Sequence, residues 1–194
     1  MKRSGLEKAF TRLIKARKEL EACERTIYAW DFEEEWSNFL LAYHSIFSSL
    51  EQAVKGCSKS EPWFGRVKHQ RRKDPLLAYL HQARNSDEHG IDKVLHLKKE
   101  TKFRSPSGDP VMVDISGGKV ARVWSPTGAL IVATEGAPSV ALSTVTDSKH
   151  GDIFTAPREH LGRPLTDASP LYVAKLALDY AEKILIEASE LPLR

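Results

Sequence analysis

Leu6-Glu-Lys-Ala9-Phe-Thr-Arg-Leu13-Ile-Lys-Ala16-Arg-Lys-Glu-Leu20-Glu-Ala-Cys23-Glu-Arg-Thr-Ile27-Tyr-Ala-Trp30 is the stretch on which the fold turns. Leu6, Leu13, Leu20 and Ile27 recur every seven residues, and Ala9, Ala16, Cys23 and Trp30 interleave with them. Because a helix turns once in 3.6 residues, this 3-4 spacing puts all eight on one face. A stripe this long needs cover, so the spacing predicts a long amphipathic helix packed antiparallel to a neighbour.

The next segment supplies the neighbour. Asp31 and Glu34 sit at the spacing of a capping box, ahead of an apolar stripe of Phe32, Trp36, Phe39, Leu40, Tyr43, Phe47, Leu50 and Val54, with Gly56 as the stop. Residues 58–73 look like a polar, basic connection. Asp74-Pro75 opens a third helix, Asp as cap and Pro in the first turn, with Leu76, Leu77 and Leu80 on its buried face. It runs at least to His89, where Gly90 offers an interruption; a continuation to about Lys99 is the alternative. Ser169-Pro170 opens a last helix through Leu171, Leu178, Ile184 and Leu185.

Between them the period changes from 3.6 to 2. Val111–Ile115, Val120–Trp124, Ala129–Thr134 and Ser139–Val145 are β-rich runs separated by Gly/Pro/Ser clusters, the pattern of a four-stranded antiparallel meander. No internal repeat stands out. The loop 146–168 is long enough to be a lid, an interface or a mobile segment. The expected fold is α+β and mainly α. A four-helix bundle (4–104 plus 169–190) carries a β-rich insertion and loop (109–168) ahead of its last helix, all in one domain.

The 194 residues hold 29 Lys+Arg and 26 Asp+Glu, a net charge of +3. No apolar run approaches the roughly 18–20 residues of a membrane span. Two cysteines, Cys23 and Cys57, are too few for a disulfide-built secreted domain. The charged start has no apolar segment after it, so a cytoplasmic protein is expected. The small net charge hides an asymmetry. Pro62–Arg104 carries eleven cationic side chains against five carboxylates, a local +6, which leaves −3 for the rest. Arg66, Lys68, Arg71, Arg72 and Lys73 form its densest run, a candidate RNA-backbone contact. Trp63 and Phe64 just before it suit either base stacking or packing on the bundle.

The third helix carries the candidate chemistry. Its stripe, followed from Leu77 and Leu80, meets Arg84 and Asp87/Glu88, charges that a buried face tolerates only when paired. The string Arg84-Asn85-Ser-Asp-Glu-His89 resembles the Arg-polar-x3-His motif of the HEPN superfamily, helical-bundle proteins that include many metal-independent endoribonucleases of toxin–antitoxin and defence systems. The resemblance implies RNA as substrate, no cofactor or metal, a homodimer with a composite site, and a possible antitoxin protein as partner. Ile91 stands where some members carry a nucleotidylated Tyr, which argues against that mode of neutralisation.

RNA is cut without metal when its 2′-hydroxyl attacks the adjacent phosphate. A histidine such as His89 suits the proton transfers, and a guanidinium such as Arg84 suits the phosphorane charge. Asn85 would orient His89 or the substrate, with Asp87 and Glu88 in support. Arg84 and His89 lie about 140° apart around a helix, so they meet only through a long side chain, a distortion or a two-fold axis. The plainer alternatives are an Arg84–Asp87 or Arg84–Glu88 surface ion pair and a His89 that complements the helix dipole. A non-catalytic HEPN-like module that binds nucleotide or protein is the rival function. His81 reads as a surface residue, and His150, Asp152 and His160 match no metal-ligand spacing.

Overall fold

The computed structural model describes residues 1–89, 93–99, 101–117, 119–136, 138–147 and 149–193, with His89 described by its backbone alone. Gly90, Ile91, Gly118 and the His89 side chain therefore lie outside the described residues. Five helices are present among those described: α1 (Arg3–Arg25), α2 (Ala29–Val54), α3 (Glu61–Lys73), α4 (Pro75–His89) and α5 (Pro170–Ser189). Ten short strands lie between α4 and α5: β1 (Leu95–Lys98), β2 (Thr101–Arg104), β3 (Met112–Ser116), β4 (Lys119–Trp124), β5 (Val132–Glu135), β6 (Ser139–Leu142), β7 (Val145–Thr146), β8 (Ile153–Phe154), β9 (Glu159–His160) and β10 (Arg163–Pro164). Helix therefore predominates in a mixed helix-and-strand chain, as its periodicities require. The chain forms two compact units, Met1–His96 with Val140–Arg194, and Leu97–Ser139.

In the first unit, α1 and α2 form an antiparallel hairpin. Leu6, Ala9, Leu13, Ala16, Leu20 and Cys23 are buried along α1, as the stripe predicts. The stripe stops two members early, because α1 ends at Arg25; Ile27 and Trp30 are exposed. Asp31 lies inside the first turn of α2 and caps nothing, since that helix already begins at Ala29. Where the hairpin closes, Lys2 N–H donates to the Ala53 carbonyl (2.8 Å). A Cβ on Gly5 would stand 2.7 Å from that of Ala53, so only glycine permits this approach. Helix α5 packs on α1, with the pairs Arg17–Glu182 and Lys175–Glu24 at their rim.

The expected basic connection is instead helical. Glu61 and Pro62 open α3 with an acidic first turn and a proline whose missing N–H costs nothing there, and Arg71, Arg72 and Lys73 suit its C-terminal dipole. Only Trp63, Phe64 and Val67 are buried, so the helix meets its neighbours along a narrow stripe and looks polar in sequence. Trp63 and Phe64 are both buried in the core, which agrees with the packing alternative for this aromatic pair. Asp74 caps α4 as expected, Oδ1 accepting the Leu77 N–H (2.9 Å). Its second oxygen accepts the Leu161 N–H (2.6 Å) and its first also meets His160 Nδ1 (3.0 Å). One buried carboxylate thus starts α4 and ties down the expected loop 146–168, which is stitched further by the β7–β8 and β9–β10 pairs.

The second unit is a two-stranded ribbon and not a meander. The expected helical continuation to Lys99, and the bundle limit at 104, give way to β1 and β2. Pairing is nested: β3 with β4 at the tip, β2 with β5 behind it (Thr101↔Glu135 to Arg104↔Val132), and β1 with β6 at the base. A repeat appears once this register is seen. Ser105-Pro-Ser-Gly108 and Ser125-Pro-Thr-Gly128 occupy matching places on the two legs. Each makes the same turn, with the Gly N–H donating to the Ser carbonyl (3.1 Å) and glycine at φ +80° or +72°. Asp109 joins them, accepting from both Ser107 and Thr127 hydroxyls. Ser116 pairs with Lys119, so Gly117 lies in a hairpin turn as expected.

Candidate functional site

Three helices of the first unit each turn one stripe toward a common cleft of about 810 Å³. His44, Phe47, Ser48 and Glu51 come from α2; Phe64, Lys68, Arg71 and Arg72 from α3; and Ala78, His81, Gln82 and Asn85 from α4. Every set follows helical spacing, so each helix presents one continuous face. Asp147, Lys149 and Phe154 close the fourth side. That segment is held on α4 by Tyr79 Oη donating to the Ser143 carbonyl (2.8 Å) and Gln82 Nε2 to that of Thr146 (3.1 Å).

Helical geometry divides the basic run. At about 100° per residue, Lys68, Arg71 and Arg72 share one face of α3, whereas Arg66 and Lys73 share the opposite one. The first three line the cleft; the other two are exposed away from it. Lys68 is neutralised by Glu51 (2.9 Å). Arg71 lies over the Phe47 ring, its Cζ 3.7 Å from the centroid, and has no carboxylate partner among the described residues. Burial lowers its pKa, while Tyr43, Tyr180 and Glu51 oppose that shift. An arginine stays cationic even so, and a half-buried one stacked on an aromatic ring is held ready for an anion. Arg72 and Lys149 add charge at the rim without a carboxylate partner among the described residues.

His44 and His81 face each other across the α2–α4 seam, their rings stacked at 5.5 Å. Burial, then the Arg84, His81 and Arg71 charges, push the His44 pKa down to about 4. Its Nδ1 is buried and without a hydrogen-bond partner. His81 is lowered by burial and then by Arg71 and Arg84, against an opposing pull from Asp147. His81 is exposed as its sequence context suggests, but the surface it stands on is the cleft wall. His44 has no signature of its own in the sequence. It sits beside Tyr43 and Phe47 on the stripe of α2, and only the packing of α4 turns it into half of a pair.

Of the motif residues, Asn85 lines the cleft and Arg84 does not. The buried stripe of α4 runs through Leu76, Leu77, Tyr79, Leu80 and Ala83 to Ser86, which leaves Arg84 and Asp87 half-buried beside it and Glu88 exposed, the two half-buried charges each with a partner. Arg84 is occupied on its own helix, pairing with Glu88 (2.5 Å) and donating to Asn85 Oδ1 (3.3 Å). Asp87 is not its partner; it accepts from Ser37 on α2 (2.9 Å) and braces the seam.

Among the described residues no group of three His, Cys, Asp or Glu side chains could hold a metal ion. His160 belongs to the Asp74 cap, and His150 bonds Asp147 in a local turn (2.9 Å). No helix among the described residues is long and apolar enough to cross a membrane. No family model, no curated protein and no solved structure matches the chain.

Proposed function

We propose that the protein binds single-stranded RNA, seating the phosphate backbone in the α2–α3–α4 cleft, and cuts it without a metal through attack of the RNA's own 2′-hydroxyl. The observation that carries this reading is Arg71: a guanidinium over an aromatic ring on the cleft wall, without a carboxylate ion pair among the described residues and flanked by Arg72, Lys149 and the amide of Asn85. A planar donor fork of this kind favours phosphate oxygens. Aromatic packing beneath it restricts its freedom before the ligand arrives, which lowers the entropy lost on binding.

The HEPN-like resemblance adds a second placement of the chemistry, on Arg84, Asn85 and His89 of two copies related by a two-fold axis, with an antitoxin protein as the natural regulator. For that arrangement Arg84 has to exchange Glu88 for a phosphate. The rival, a HEPN-like module without catalysis, is favoured by that same ion pair, which leaves Arg84 engaged.

The direct test is a titration of the labelled protein with a short single-stranded RNA, followed through histidine ring resonances. The His44 and His81 signals are expected to move while that of His160, held by Asp74 away from the cleft lining, stays in place. If His44 and His81 remain still at saturating RNA, the cleft is not the binding site.

A further inference from the structure

The cleft holds two imidazoles and two arginines without a carboxylate partner among the described residues, an arrangement the Arg84–His89 motif does not use. We propose that His44 and His81 are the general base and general acid of RNA cleavage, acting on a phosphodiester held by Arg71. This rests on the cleft being the RNA site, and it moves the chemistry from the motif to the α2–α4 seam.

The roles follow from surroundings. His44 is half-buried against His81 in the α2–α4 seam; burial first, and then the Arg84, His81 and Arg71 charges, oppose its protonation, so it stays neutral at physiological pH and can accept a proton. His81 stands at the solvent-open side of the pair; burial and then the Arg71 and Arg84 charges lower its pKa, and the Asp147 carboxylate on the facing loop pulls the other way. A phosphate seated on Arg71 offsets that arginine's charge and so favours the protonated imidazole that an acid needs. The step balances within the RNA and the pair. The 2′-oxygen attacks phosphorus as its proton passes to His44; the bond from phosphorus to the 5′-oxygen breaks, and His81 gives that oxygen a proton. The products are a 2′,3′-cyclic phosphate and a 5′-hydroxyl, and water returns both imidazoles to their starting states. Arg71 stabilises the charge that grows on the phosphorus oxygens. No further reactant is needed, and DNA lacks the nucleophile.

The test uses the full chain, a single-stranded RNA labelled at both ends, and chelator throughout. Wild type is expected to release cyclic-phosphate ends, with an alkaline limb in the pH–rate profile. His44→Ala and His81→Ala are expected to lose roughly 10²–10⁴ in cleavage rate with RNA affinity kept within about threefold. His44→Gln guards against misfolding in the first case. Added imidazole should restore part of the His81→Ala rate and with it shift the alkaline limb, which a merely structural histidine would not do. Wild type that binds RNA without cutting it overturns the pair and leaves the binding site standing. So does a His89→Ala variant that loses cleavage while both pair variants keep it. Absence of RNA binding overturns the binding reading and the pair together.

Discussion

Removing Arg72 should change how RNA binding responds to salt, by an amount that can be worked from the cleft. Four cations line it, and Glu51 already neutralises Lys68, which leaves Arg71, Arg72 and Lys149 to displace counterions from RNA. Each phosphate neutralised on a single strand contributes about −0.7 to the slope of log affinity against log salt, so the wild-type slope should be near −2. Affinity then falls roughly twentyfold between about 50 and 200 mM salt. Arg72→Ala should bring the slope to about −1.4. Arg66→Ala removes the same charge from the opposite face of α3 and should leave the slope where it was. Both sites are exposed, so neither change threatens the fold. The assay is fluorescence anisotropy with a labelled single strand over a salt series. Equal loss of slope in the two variants would refute the division of the basic run by helix face, because only the sum of charge would then matter.

Three further outcomes follow from the packing. Asp74→Ala should cost about 3–5 kcal/mol, from one lost helix cap and the unsatisfied His160 and Leu161 donors, measured by urea unfolding. The wild-type Asp74 contribution is present above the ordinary carboxylate range and is lost as pH falls through its lowered pKa. Burial pulls that pKa up, and hydrogen bonds from His160, Leu161 and Leu77 together outweigh it. Gly5→Ala should cost about 1–3 kcal/mol by forcing the α1–α2 hairpin apart, seen as a lower melting temperature with helix content kept. For His44 the unfolded chain binds its proton near the ordinary value and the folded one only near pH 4. Stability should therefore drop by about 3 kcal/mol as pH falls across that window, and His44→Gln should flatten this part of the acid limb.

Much of the helical frame is legible in the sequence because its signals are local. The α1 stripe, the Asp74-Pro75 and Ser169-Pro170 openings and the Gly56 stop each depend on residues within a turn or two of one another. Helix α3 escapes the same reading because three buried side chains in thirteen positions make too thin a stripe among so many cations. The ribbon escapes it for another reason. Turn residues mark where strands end but not which strand answers which, and β2 finds β5 across some thirty residues. The twin Ser-Pro-Ser/Thr-Gly turns were the available clue, two copies of one string at a fixed interval. The candidate site divides the same way. Arg71, Arg72 and Asn85 stand out by type and neighbourhood, whereas His44 becomes meaningful only when α4 brings His81 against it.

The central claim is that RNA phosphate rests on Arg71, and Arg71→Met tests it most directly, since methionine keeps an apolar stem on Phe47 and removes only the charged fork. With folding confirmed by circular dichroism, the variant should bind a single-stranded RNA at least about tenfold more weakly than wild type at about 0.1 M salt. Binding within about twofold of wild type would contradict the account.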